Sequence, residues 1–140
     1  MVHERDDRGL LPYQVAIISR LENIALQLLS LAHYKEIVEP AGSYTSLSIA
    51  AGRGLPSIVN ELLQRGAYPN RLDGDQNITA LQMACIDDAE NKVVDYPQVV
   101  KLLVKLTDLE VLKECEESIF QVCIDQEAWK CLKVLIKDLF

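Results

Sequence analysis

Within residues 66–85, GAYPNRLDGDQNITALQMAC, Asp73, Asp75 and Asn77 alternate as oxygen donors do in the first half of a calcium-binding loop. A loop of the EF-hand kind beginning at Asp73 would need glycine at its sixth position, for the sharp turn, and a bidentate carboxylate at its twelfth. Ile78 and Ala84 hold those places. Such a loop could neither turn nor complete its ligand set, so the calcium reading fails. Asn77-Ile78-Thr79 is also a glycan acceptor pattern, which matters only to a chain that enters the secretory pathway. Thr79 reads better as a helix cap, and the whole stretch as a turn between two helical units.

The remaining reactive side chains form no recognisable constellation. His3 and His33 are the two histidines, so a Ser–His or Cys–His nucleophilic pair would have to use one of them. His3 lies near the terminus, and His33 reads as an exposed turn residue. Gly52-Arg53-Gly54 fits a helix–helix turn better than a phosphate loop. Two acidic clusters, Asp87, Asp88 and Glu90, then Glu110, Glu114, Glu116 and Glu117, could do acid–base chemistry only in a pocket that perturbs a pKa. A solvated face is the first explanation and an electrostatic docking surface the second. Cys85, Cys115, Cys123 and Cys131 lack zinc-site spacing and sit in apolar, helix-like stretches. They read as reduced core thiols. No catalytic, metal or cofactor-binding residue is expected, and the chain is not expected to be an enzyme.

What must position these residues is bounded by size and charge. A chain of 140 residues suits one domain. It buries roughly two-thirds of its unfolded surface without disulfide or metal staples. No apolar run approaches the ~20 residues that span a bilayer, and no signal peptide is recognisable. With reduced thiols, this suggests cytoplasm or nucleus and no membrane partner. Net charge is −7, divided as −1 over residues 1–70 and −6 over 71–140. A negative surface repels phosphate backbones, so no nucleic acid is expected, and a basic protein or peptide is the complementary partner.

The organisation itself is repetitive. Thr45-Ser-Leu47-Ser-Ile-Ala50-Ala51 returns one period later as Thr79-Ala-Leu81-Gln-Met-Ala84-Cys85. The lattice runs back by the same step to Leu11-Pro12-Tyr13-Gln-Val-Ala16-Ile17 and forward, less regularly, to Ser118-Ile-Phe120-Gln-Val-Cys123-Ile124. A second stripe follows each block: Ile24, Ala25, Leu28 and Leu29; Ile58, Val59, Leu62 and Leu63; Val99, Val100, Leu103 and Val104; Cys131, Leu132, Leu135 and Ile136. Apolar residues at i, i+1, i+4 and i+5 line one face of a helix. Pro56 and Pro97 stand just before two of these stripes, where proline suits a first helical turn. Paired helices in four copies describe a helical solenoid.

The stretch from Thr45 to Asn70 resembles an ankyrin repeat. Thr45, Leu47, Ala50, Ala51, Gly54, Ile58, Val59, Leu62, Leu63, Gly66, Ala67 and Asn70 all match that family's pattern. The first unit keeps Asp6-x-x-Gly9 and its helices but has Arg20 at the turn glycine. The third matches through Thr79 to Cys85 and then carries about seven extra residues around 89–95. The fourth keeps the apolar skeleton alone. Tetratricopeptide arrays share the period but lack a Gly-Ala-x-x-Asn segment, and Gly66 to Asn70 followed by Asp73-Gly74 is turn chemistry.

The resemblance implies an all-α ankyrin-repeat solenoid of paired antiparallel helices with short finger turns. Its units would span about 6–39, 40–73, 74–112 and 113–140. It implies a non-catalytic protein–protein interaction module (adaptor, scaffold or regulatory inhibitor) that uses its concave face and finger turns. The slots it leaves variable and exposed are Tyr44, Arg53, Gln76, Ile78, Ile86 and Asp87, with Asp125 and Gln126 in the last unit. The alternative is a structural or oligomerising part, since Leu132, Leu135, Ile136, Leu139 and Phe140 would form an uncapped apolar end. Trp129 is expected to pack in the core or the end cap rather than serve as a partner hot spot. The 89–97 insertion reads as a loop or a recognition element, and Thr107 to Glu117 has helix character where the family places a turn.

Overall fold

The computed structural model describes residues 3–38, 44–72, 79–88, 96–108, 110, 119–125 and 128–139. Among them the regular structure is helical: α1 (Pro12–Ile18), α2 (Glu22–Leu29), α3 (Tyr34–Val38), α4 (Ser46–Gly52), α5 (Pro56–Gln64), α6 (Ala80–Asp88), α7 (Tyr96–Val104), α8 (Ile119–Asp125) and α9 (Trp129–Leu139). Apart from the short α3, the helices sort into two rows. One row runs α1, α4, α6, α8, each packed on the next, and the second runs α2, α5, α7, α9 in the same way. The mainly helical architecture agrees with an all-α repeat solenoid.

Local chemistry explains where the helices begin. Thr45 stands ahead of α4 with an extended backbone, and its Oγ1 accepts the Ser48 N–H at 3.4 Å. Thr79 does the same for α6, accepting the Gln82 N–H at 3.3 Å, while Gln82 Oε1 accepts the Thr79 N–H at 3.0 Å. That reciprocal pair is a capping box, which satisfies two of the backbone donors a helix start leaves unpaired. Gln14 closes half of the same box on the Leu11 N–H at 2.7 Å. Gln14, Ser48 and Gln82 occupy one slot of the repeat and are all buried.

Small residues set the distance between the first helices. Ala16, Ala50 and Ala84 fill one repeat slot at 4, 0 and 0% exposure, and Cys123 takes it in α8. No larger side chain separates neighbouring first helices there. The second-helix stripe is buried in the middle of the stack: Ile58, Val59, Leu62, Val99, Val100 and Leu103 are all at 0%. Burying each such side chain contributes about 1.5–3 kcal/mol.

Expectation and structure part at the ends of the stack. Ile24 of α2 is 48% exposed and Ile136 of α9 is 51% exposed, although both belong to the stripe. Among the described helices α2 packs on α1 and α5, so one edge of its stripe has no outer neighbour to cover it, and α9 is the last helix of its row. Trp129, expected in the core or the end cap, is 51% exposed at the first residue of α9. The stack also carries α3, a short helix over residues 34–38 that follows the turn residue His33. Tyr13 holds it in place, its hydroxyl donating to the Glu36 carbonyl at 2.9 Å.

Candidate functional site

The slots proposed from the repeat pattern fall at two ends of the first-helix row. Tyr44 precedes the Thr45 cap and is half-buried. Arg53 is the residue that ends α4, also half-buried. Seven helical residues span roughly 10 Å, so Tyr44 and Arg53 flank opposite ends of α4 rather than one patch. Ile86 and Asp87 lie in the last turn of α6, and Asp125 ends α8. Arg53, Asp87 and Asp125 therefore mark the C-terminal ends of three packed helices. Asp125 is exposed and accepts the Gln121 side-chain N–H at 2.7 Å. Gln76, Ile78 and Gln126 lie outside the described residues, as do Asp73, Asp75 and Asn77 of the rejected calcium loop.

At the N-terminal end of α4, a groove of about 580 Å³ opens between α3 and the turn after α5. Ile37, Leu47 and Ala67 give it apolar walls, and Tyr34, Tyr68 and Arg71 stand around it. Tyr34 and Tyr68 are one repeat apart and are 65 and 66% exposed. Two equivalent aromatic rings thus face water from successive units. The repeat comparison missed them because it concentrated on the slots flanking the first helices. The signal was present in the aligned segments Ala32-His33-Tyr34 and Gly66-Ala67-Tyr68.

The turns around this groove are tied by side chains. Gly66 has φ +99°, as a left-handed helix end requires, and a Cβ there would lie 2.7 Å from Tyr34 Cε2. Asn70 reaches across to the next turn, its Oδ1 accepting the Asp108 N–H at 2.6 Å and its Nδ2 donating to the Leu106 carbonyl at 3.3 Å. The matched Asn70 is thereby a structural tie.

Two clusters of reactive side chains escaped a residue-by-residue reading. His3 Nδ1 sits 3.0 and 3.1 Å from the two Glu36 carboxylate oxygens. His33 Nδ1 lies 3.8 Å from Oε1 of the same group, and the two imidazoles stack at 4.2 Å between centroids. Partial burial opposes ionisation of Glu36, but the His33 N–H bond and His3 together outweigh it and lower the carboxyl pKa. The second cluster is thiol. Cys85 is fully buried, and hydrogen bonding to Cys123 and Cys131, with desolvation, pushes its pKa up. Cys85, Cys123 and Cys131 are free and buried in the core, and Cys115 lies outside the described residues.

Comparison with known proteins converges on the same stretch that carried the sequence resemblance. The ankyrin repeat family matches residues 43–74, which hold the Thr45 cap, α4, α5, Gly66 and Asn70. No curated protein matches the chain. Among the described residues no helix is long and apolar enough to cross a membrane. The ankyrin repeat is a protein–protein interaction module. That match on α4 and α5 places an ankyrin repeat at residues 43–74, inside the two-row helical stack.

Proposed function

We propose that the chain is a non-catalytic interaction module, an adaptor, scaffold or regulatory inhibitor, built from four units at about 6–39, 40–73, 74–112 and 113–140. Its partner is a protein or peptide that lies along the first-helix face and the finger turns. The observation that carries this reading is the groove beside Tyr34 and Tyr68, with exposed aromatic rings of a type that anchors interfaces. Tyr44, Arg53, Gln76, Ile78, Ile86, Asp87, Asp125 and Gln126 extend the contact along the stack. The excess of acidic residues favours a partner with a basic surface.

The test compares wild type with a Tyr34→Ala/Tyr68→Ala variant and an Arg53→Ala/Ile78→Ala/Ile86→Ala variant, each with an unchanged far-UV spectrum. Proteins captured by wild type are purified and their Kd measured against all three chains. Weakened binding by both variants supports a partner spanning groove and face. Loss in the tyrosine variant alone restricts it to the finger turns, and unchanged binding by both defeats the proposal.

A second reading is self-association through α9. Trp129 and Ile136 are two helical turns apart and each about half exposed, so they present apolar surface on one side of the terminal helix. Sedimentation across a hundredfold concentration range distinguishes it. A dimer that dissociates on Trp129→Ser/Ile136→Ser substitution or removal of Phe140 supports this reading, and a monomer throughout removes it.

A further inference from the structure

His3, His33 and Glu36 converge, although His3 and His33 lie far apart in the sequence. Two elements hold the three residues. His33 precedes α3 and Glu36 belongs to that helix's first turn; the His33 backbone N–H donates to Glu36 Oε1 at 2.8 Å, turning the carboxylate toward the helix start. The Tyr13 hydroxyl anchors the Glu36 main chain from α1. His3 arrives from a segment that is itself folded. Asp6 Oδ1 accepts the Arg8 and Leu10 N–H groups, each at 2.9 Å, and the Arg5 guanidinium donates to the Gly9 carbonyl at 2.8 Å.

The result is two imidazole nitrogens and one carboxylate, with all three ligand atoms within 4.8 Å of one another. A tetrahedral zinc ion bonded at about 2.0–2.2 Å holds its ligand atoms roughly 3.4 Å apart. The Nδ1–Oε1 separations of 3.0 and 3.8 Å bracket that value. Exposure of both rings, 42% for His3 and 70% for His33, leaves a side open for a water ligand. Glu36, 14% exposed, forms the floor.

We propose that His3, His33 and Glu36 form a binding site for a divalent transition-metal ion, of which Zn²⁺ is the type. Two nitrogens and one oxygen select borderline ions such as zinc over calcium or magnesium, which demand more oxygen ligands. The ion would bridge the N-terminal segment to α3. The thiol trio competes for the same metal in principle, but it is buried in the core and on different helices.

The experiment is calorimetric titration of ZnCl₂ into the full chain, carrying no histidine tag and kept reduced with a phosphine. Wild type is compared with His3→Ala, His33→Ala and Glu36→Gln. His33 is exposed, so its replacement spares the fold, and thermal midpoints without metal confirm this for each variant. One ion per chain is expected, with affinity at least about tenfold weaker in every variant, because even an outer-shell partner of a metal site is typically worth 10–100-fold. CaCl₂ and MgCl₂ should give no saturable heat. Cobalt(II) provides an independent readout: its bound spectrum should lack a thiolate charge-transfer band and should collapse in His33→Ala. Absence of saturable zinc binding overturns the proposal. So does binding that survives His33→Ala and Glu36→Gln, which would place the ion on His3 and its neighbouring main chain, or on the thiols.

Discussion

Arg20 and Gly54 share one backbone conformation, with φ +61° and +67°, at the same point of successive helix–helix turns. The hydrogen bonds match as well. Leu21 N–H donates to the Ala16 carbonyl at 2.9 Å, as Leu55 N–H donates to Ala50 at 3.2 Å. This is the glycine-favouring helix end in which the chain reverses through a left-handed residue. Arginine occupies it because the surrounding packing fixes the turn, at a local conformational cost of roughly 1–2 kcal/mol. Replacing Arg20 by glycine should raise stability by up to about 1 kcal/mol, the gain being trimmed by glycine's greater freedom in the unfolded chain. Urea unfolding checks it, and a loss of stability would mean that the Arg20 side chain contributes more than its backbone costs.

Gly66→Ala should be destabilising by about 1–2 kcal/mol, since φ +99° is unfavourable for any residue with a Cβ. The new methyl would also meet the Tyr34 ring at 2.7 Å. That ring is mostly exposed and free to swing, so the backbone should account for most of the loss. A double-mutant cycle with Tyr34→Ala separates the two: near-additive values are expected, and a large coupling would show that the ring cannot yield.

Ser46 joins the first two units through buried polar groups. Its Oγ lies 2.6 Å from the Tyr13 oxygen and accepts from Gln14 Nε2 at 2.9 Å. Because the Tyr13 proton goes to the Glu36 carbonyl, Ser46 is the donor to Tyr13. Ser46→Ala would strand the Gln14 donor inside the core and should cost about 1–3 kcal/mol by chemical denaturation.

The same network predicts an alkaline limit. Burial, the largest influence, raises the Tyr13 pKa above its ordinary value of 10.0. A group whose folded pKa is raised gives stability that is complete below the unfolded pKa and lost as pH climbs through the folded one. Stability should therefore fall above about pH 10 in wild type, and less steeply in Tyr13→Phe. Equal slopes in the two chains would exclude Tyr13 as the cause.

Asn70→Ala removes both bonds between the turn at residues 66–71 and the Leu106–Asp108 turn. A loss of about 1 kcal/mol is expected, concentrated in local opening. Amide exchange should accelerate at Asp108, the donor at 2.6 Å, well before it changes in α4.

The sequence was most informative where the repeat is regular. The Thr45 and Thr79 caps, the left-handed Gly66 and the buried Ile58–Leu62 stripe follow from local patterns that each unit satisfies within itself or with an equivalent neighbour. It was least informative where packing depends on position in the stack: Ile24 and Ile136 read as core by pattern, yet stand at its ends. The glutamines of the capping boxes, Gln14 and Gln82, were legible at equivalent repeat positions but resembled ordinary polar residues. His3, His33 and Glu36 were not legible, because their meeting depends on how the Asp6 turn and α3 fold against α1. Tyr34 and Tyr68 needed only to be compared with each other.

Cys85 on α6, Cys123 on α8 and Cys131 on α9 are brought together by three different helices. In a solenoid held by nearest-neighbour contacts, one helix pair can open while the rest stays folded. While α8 and α9 stay docked, these sulfurs are sealed; when they lift away, the sulfurs meet solvent in one event. The trio therefore works as a tamper mark: thiol labelling of the native chain would time the opening of the α8–α9 pair, and an oxidant present at that moment would leave a lasting record of it.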